Sequence, residues 1–509
     1  MRTLDIHARS GECAAPSRRA GKYCGVDVGT LLLLVGAVLA GSIVVALGAV
    51  RVGVPSLVAF LALGMLLGSD GPGGIEFDDA ELARTVGIVG LAAILYEGGL
   101  STSWRRLRRV AVPAVLLATV GVVATTILTG VAAYALFDLS RLESVLLGAV
   151  VASTDAAAVF ATLRYTHIRR RLARTLEAET GLNDPVAIAL TLGLIDWIEE
   201  PDFGLPDLVL LVFQELGLGL VVGVVLGAAA AWVFSRLPHS IGAFAPVASV
   251  ATGALSFGTA DVIGGSGFLA VYLVGLAVGS TPSRYRRQLV AFHEGLAFLA
   301  QVAMFIVLGL LVFPSDLPEV ALSGLAVAAL LAVAIRPAAV WLSTAFSDFT
   351  GRERALLGWA GLRGAVPIVL ATFVLSSHIG EAETIFNAVF FVVVVSALLQ
   401  GTTLEWVATR LGLVDPRPTV QAPPLEVDAL GSLELVEFDV AGDHAIAGAA
   451  VREVGLPRTA LIAVVARGAE TIPPRGSTVL EPGDRLFVLA PRNIRPELED
   501  VFSRWRRRV

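Results

Sequence analysis

The sequence predicts a polytopic all-α membrane protein of about thirteen transmembrane helices, arranged as inverted repeats with paired interrupted helices, plus a small cytosolic α+β domain. Three observations carry that expectation. Of the 509 residues, 55% are hydrophobic and only 16% charged, against about 25% charged in soluble chains. Apolar runs recur at intervals of roughly thirty residues as far as position 411, most of them near the ~20 residues that cross a bilayer. Beyond Leu413 the composition turns polar, and a Pro-containing linker leads into alternating, strand-like segments.

The spans fall at about 28–50, 54–69, 83–100, 110–137, 142–162, 175–198, 207–235, 241–260, 262–280, 290–313, 319–345, 354–377 and 384–411. The loops test that count. Those after odd-numbered spans are basic, as in Arg105, Arg106, Arg108 and Arg109, or Arg164, Arg169, Arg170, Arg171 and Arg174. Those after even-numbered spans are acidic, as in Asp78, Asp79 and Glu81, or Glu199, Glu200 and Asp202. Basic loops stay on the cytosolic side, which places the N-terminus outside and the C-terminus inside. A span wrongly added or dropped would break the alternation. Residues 1–27, holding both cysteines (Cys13 and Cys24), read as a disordered extension and not as a signal peptide.

Charges inside the apolar runs mark the site. Asp155 in span five, with Glu179 and Asp184 in span six, stand where hydrocarbon is expected. Each costs at least ~2.5–3.5 kcal/mol at the membrane centre, so three within thirty positions point to a site for a cation or a proton. In span six Glu179 and Asn183 share one helical face, as do Thr180 and Asp184. Pro185 cannot donate to the carbonyl of Gly181, which frees a main-chain oxygen near Asp184. A carboxylate, an amide, a hydroxyl and a spare carbonyl suit a hard monovalent cation. The bland reading, in which Asn183 and Asp184 only cap a half-helix, does not explain their depth.

Ser153, Thr154 and Asp155 interrupt span five, because such side chains compete for main-chain hydrogen bonds. Irregular backbone at that depth survives only when buried or lining a cavity. Asp155 serves either the positive end of a half-helix or the ion itself. Span twelve is the counterpart, with Gly361, Gly364 and Pro367 around Arg363. The two spans are seven apart, so they run in opposite directions, the pattern of an inverted-repeat transporter with a midplane site. Arg363 needs a carboxylate, and Glu179 is the expected partner. Arg336, before Pro337 in span eleven, offsets another carboxylate, with Glu97 of span three as the candidate.

The segments STDAAAVF, ETGLNDPVAI and GLRGAVPIVLA together closely resemble monovalent cation:proton antiporters of the NhaP (potassium/proton) branch. The motifs cover 153–371, and the span layout extends the likeness over 28–411. The resemblance implies a homodimer in the cytoplasmic (inner) membrane, and a core domain where the two interrupted helices cross. It makes Asp184 the cation- and proton-binding carboxylate, with Thr154 and Asp155 in the unwound segment and Glu179 with Arg363 as a buried ion pair. Asn183 beside Asp184 is the family's mark of electroneutral exchange.

After a linker at 412–429, residues 430–509 read as strand LELVEFDV, a short helix AIAGAAVREVG, strands ALIAVVARG and DRLFVLAP, and a closing helix IRPELEDVFSRW. This segment looks like a TrkA-C (RCK C-terminal) domain, which implies regulation by a small molecule. No GxGxxG follows a strand in the tail, so no nucleotide cofactor is expected there.

The expected function is therefore secondary transport, not enzyme catalysis. K⁺ is favoured over Na⁺ on the strength of the tail, and Na⁺/H⁺ exchange on the same fold is the alternative. The partners are the cation, H⁺ and membrane lipids, with no metal beyond the monovalent ion, no cofactor and no nucleic acid. A potassium channel regulated by the same tail domain would need a filter like TVGYG, which is missing from the sequence. A receptor or scaffold, whose buried charges only hold helices together, is separated from a transporter by coupled ion flux in vesicles.

Overall fold

A computed structural model describes residues 28–155, 159, 168–237, 244–283, 285–414, 433–468, 470–491 and 494–506. The expected N-terminal extension with both cysteines, most of the second half of span five and the linker from 415 lie outside the described residues. The chain divides into two compact units, Met1–Arg417 and Pro418–Val509.

The first unit is helical. Its helices are α1 (Val28–Val52), α2 (Ser56–Leu67), α3 (Ala80–Ser101), α4 (Ala111–Leu136) and α5 (Arg141–Val150). Then follow α6 (Arg170–Glu199), α7 (Leu205–Arg236), α8 (Phe244–Val262), α9 (Gly267–Ser280), α10 (Arg286–Leu310) and α11 (Leu317–Ser343). The broken pair α12 (Gly351–Trp359) and α13 (Ala365–Leu375) precedes α14 (Ala382–Arg410). Every expected span thus coincides with at least one described helix. Eight of the described helices are long and apolar enough to cross a membrane alone, and α2, α9 and α13 are shorter apolar pieces.

Local chemistry sets the helix ends. Ser140 and Glu143 form a reciprocal capping box at the start of α5, and Thr350 with Glu353 does the same for α12. α4 and α11 each contain one π-turn, at Leu117–Gly121 and Leu331–Ile335, the second immediately before Arg336–Pro337. Small residues bring helices close, as expected where lipid supplies no hydrophobic drive between them. A Cβ on Gly99, Gly275 or Gly279 would collide with the facing main chain, so α3 and α9 touch backbone to backbone. That contact carries Glu97 on α3 and Tyr272 on α9 to the same cavity.

The second unit is a four-stranded antiparallel sheet in the order β1-β4-β2-β3, with β1 Leu433–Asp439, β2 Leu461–Arg467, β3 Glu470–Ile472 and β4 Asp484–Pro491. Helix α15 (Arg495–Arg506) supplies Leu498, Val501, Phe502 and Trp505 to its core. Two expectations are corrected here. AIAGAAVREVG forms turns and a single 3₁₀ turn at Val451–Glu453, because Gly448 and Gly455 sit at φ 88° and 67°, outside helical space. The short strand β3 was not expected; it pairs back on β2 past Gly468, which turns at φ 60°.

In this unit burial pushes the Asp484 carboxyl up, but hydrogen bonds from the Arg467 guanidinium and the Glu481 main-chain N–H hold it below its usual range. With a depressed folded-state pKa, Asp484 stabilises the domain above the ordinary carboxylate range, and that contribution fades as pH falls.

Candidate functional site

The site is built where the two interrupted helices meet. α5 stops at Val150, and Asp155 N–H donates to Leu362 O at 2.8 Å, joining one break to the other through main chain. Arg363 reaches back across the crossing. Its Nη1 donates to the carbonyls of Ala152 at 2.6 Å and Ser153 at 2.5 Å, just past the C-terminal, partially negative end of α5. Asp155 makes the complementary contact. Its carboxylate lies where a Cβ on Gly364 would be, beside the N-terminal, partially positive end of α13. Each broken segment therefore lends its charge to the other's half-helix.

α6 passes this crossing unbroken through Pro185 and presents Asp184 to it. Ser153 Oγ donates to Asp184 Oδ1 at 2.6 Å. Asn183 Nδ2 donates to Thr154 Oγ1 at 2.7 Å, which fixes the unwound segment against α6. A cavity of about 370 Å³ opens at this point, and its polar lining includes Glu97, Thr154, Asp155, Glu177, Thr180 and Asp184. The lining unites Asp184 with Thr154, Asp155 and Thr180, and brings Glu97 beside them. Asn183 is buried behind the wall and does not line the cavity. Thr180 lines it while its hydroxyl is donated to Leu176 O.

The expected pairing of the arginines is corrected. Glu179 is bonded to Arg336, not to Arg363, and both partners are almost wholly buried. Arg363 is committed to the carbonyls just past α5 but remains within electrostatic range of Glu179 and Arg336. Glu97 does not meet Arg336; it accepts from Ser101 Oγ at 2.6 Å on the cavity wall. One carboxylate and two arginines are all present in the sequence, but the choice between them depends on which guanidinium is already spent on a helix end.

Sequence reasoning also missed partners. Ser153 stands in the interrupting triplet with no local sign of its bond to Asp184, and Glu177 lies seven residues before Asp184, on the same helical face, a spacing that flags it. Tyr272 packs against Gly181 of α6 and lines the same cavity. Its tertiary contact has no local signal in the chain.

A crossing of two broken helices, an ionisable group at the crossing and a cavity beside it with several carboxylates in its wall define a membrane transporter of inverted-repeat type. The comparisons give the family. The transmembrane sodium/hydrogen exchanger family matches residues 34–410, and the TrkA-C domain matches residues 435–503. The chain belongs to the sodium/hydrogen exchanger family and is a cation/proton antiporter. It is 39% identical over 477 residues to the K(+)/H(+) antiporter NhaP2 of Shewanella sp. (strain ANA-3), covering 92% of this chain and 83% of that one. It is 37% identical over 478 residues to the K(+)/H(+) antiporter NhaP of Alkalimonas amylolytica, covering 93% and 83%. The sodium proton antiporter MjNhaP1 of Methanocaldococcus jannaschii superposes with a TM-score of 0.66 at 25% identity, over 75% of this chain and 99% of that one.

Proposed function

We propose that this antiporter exchanges one K⁺ for one H⁺ across the cytoplasmic membrane, with Asp184 holding the two by turns. The observation that carries the reading is the placement of Asp184 on the cavity wall, hydrogen-bonded by Ser153 and flanked by the neutral Asn183. Around the crossing stand three carboxylates, Asp155, Glu179 and Asp184, and two guanidiniums, Arg336 and Arg363. With Asn183 neutral, Asp184 is the group that takes up either one monovalent cation or one proton. The loaded site then carries the same charge in both forms, and the cycle moves no net charge. K⁺ is preferred because relatives similar over nine-tenths of this chain carry that ion in their names.

Alternating access exposes Asp184 first to one side and then to the other by rocking of the core helices. A homodimer supplies the fixed frame for that motion, with the N-terminus outside and the C-terminus in the cytosol. The domain from 430 regulates the exchange in response to a small molecule. Supporting that, the root of its linker is tied to the ion-binding helix. Arg169, the residue before α6, donates its main-chain N–H to Leu413 O at 3.1 Å, and Ile168 pairs with Val414.

The test is proton flux in everted vesicles driven by K⁺, Na⁺, Rb⁺ or Li⁺ at several pH values. Apparent K⁺ affinity is expected to weaken about tenfold per pH unit on the acid side, since proton and cation compete for one carboxylate. Asp184→Asn is expected to abolish exchange while leaving the protein folded. Exchange that persists in Asp184→Asn, or a rate that follows membrane voltage as net charge movement requires, would refute the single-carboxylate reading. A clear preference for Na⁺ would transfer the same mechanism to that ion.

A further inference from the structure

The break in the second interrupted helix raises a question of hydrogen-bond accounting. In a continuous α-helix Arg363 N–H would donate to Trp359 O, four residues back. Here α12 ends at Trp359, Leu362 N–H turns to Ala360 O, and that bond is not made. A buried main-chain donor and acceptor in an apolar medium must find partners elsewhere. Both find them on α14. Arg363 N–H donates to Ser396 Oγ at 3.0 Å, Ser396 Oγ donates to Gln400 Oε1 at 2.5 Å, and Gln400 Nε2 donates to Trp359 O at 3.0 Å. Three bonds through two side chains replace the one that the helix gives up. The relay runs in one consistent donor-to-acceptor direction, and Ser396 and Gln400 are 6% and 2% exposed.

We infer that Ser396 and Gln400 are positioning residues for the exchange: they hold the second break open and so keep Arg363 on the first. If the relay is removed, the orphaned N–H and C=O of Arg363 and Trp359 regain their partners by closing into continuous helix. Closure rotates residue 363 with the helix and draws its guanidinium away from Ala152 O and Ser153 O. Ser153 is the residue whose hydroxyl bonds Asp184, so the effect reaches the carboxylate without any contact between α14 and the cavity. A carboxylate that loses a donor holds its charged form less well, and the proton gains on the cation. The inference rests on the reading of Asp184 as the shared site.

The experiment uses the full chain in everted vesicles, with K⁺-dependent proton flux measured against K⁺ concentration and pH. Ser396→Ala and the volume-conserving Gln400→Met are each expected to raise the apparent KM for K⁺ about tenfold near neutral pH, and to move the pH profile about one unit alkaline. Combining them is expected to add little, because either one already breaks the relay. Ser396→Thr, which keeps the hydroxyl, is expected to restore both KM and profile. Hydrogen–deuterium exchange over residues 357–366 gives a second readout in any variant that purifies folded: closure of the break shows as increased protection there. Lowered thermal stability with KM, pH profile and protection all unchanged would overturn the inference, as would fully additive effects of the two substitutions. Asp184→Asn separates the layers. If it retains exchange, the reading of the site fails; if it is inactive while Ser396→Ala and Gln400→Met behave as wild type, only the relay fails.

Discussion

The two broken helices look alike in sequence pattern but are supported differently. At 151–155 the break is held by main chain and by a charge: Asp155 N–H bonds Leu362 O, and Arg363 covers the carbonyls of Ala152 and Ser153. At 360–364 the same main-chain bond and the Asp155 carboxylate at Gly364 are joined by neutral side chains of a neighbouring helix, Ser396 and Gln400. The difference follows from what each break has to do. The first displays its own polar side chains to the cavity and to Asp184, so its support comes from behind. The second displays none of its own, and supplies the charge that the first one needs. One break faces the cavity and Asp184, and the other is its buttress.

The sharpest way to break that comparison is Arg363→Ala. It removes the guanidinium donor from two buried carbonyls, at about 1–3 kcal/mol each, so folded yield and thermal stability should fall together with exchange. A variant as thermostable as wild type would mean that the second break does not support the first. Glu179→Gln is expected to cost about 3–5 kcal/mol, because Arg336 is left as an uncompensated buried charge beside the second break. If Arg363, and not Arg336, were the partner, Glu179→Gln combined with Arg363→Ala would be milder than either alone; thermal denaturation of the set decides this.

Ser153→Ala probes the site and leaves the buttress alone. The protein should stay folded, while Asp184 loses one hydrogen bond, of about 1.5–3 kcal/mol to a charged acceptor. With the ionised form less well held, protons compete better, so the pH for half-maximal exchange should move alkaline by about one unit or more. An unchanged profile would remove Ser153 from the site.

The smallest effect is expected at the linker root. Arg169 sits at φ −50°, which proline also adopts, so Arg169→Pro deletes the N–H that bonds Leu413 O with little strain. Arg169→Ala keeps that N–H and loses the pairing of its half-exposed side chain with the buried Glu353. Arg169→Pro, unlike Arg169→Ala, should mimic truncation after Val414 in its response to pH, and should have no further effect in the truncated chain. Equal effects with and without the C-terminal domain would show that the pairing serves folding alone.

The sequence by itself determined the membrane class, the thirteen apolar segments, the positions of both interruptions and the buried Asp184, because hydrophobic length and misplaced charge are local properties. Ser396 and Gln400, four apart in VVVVSALLQG, were equally visible as two polar residues on one face of an apolar helix, but nothing local says what they satisfy. The three-dimensional structure alone decided the partners. Glu179 chose Arg336 because Arg363 was already committed beyond the end of α5, and Asn183 bonded Thr154 from behind the cavity wall. In the second unit Gly448 and Gly455 overruled a helical reading of an Ala-rich stretch. Composition places a charge or an amide at depth; which of several groups it meets depends on the distances between helices far apart in sequence, and no spacing along the chain contains those.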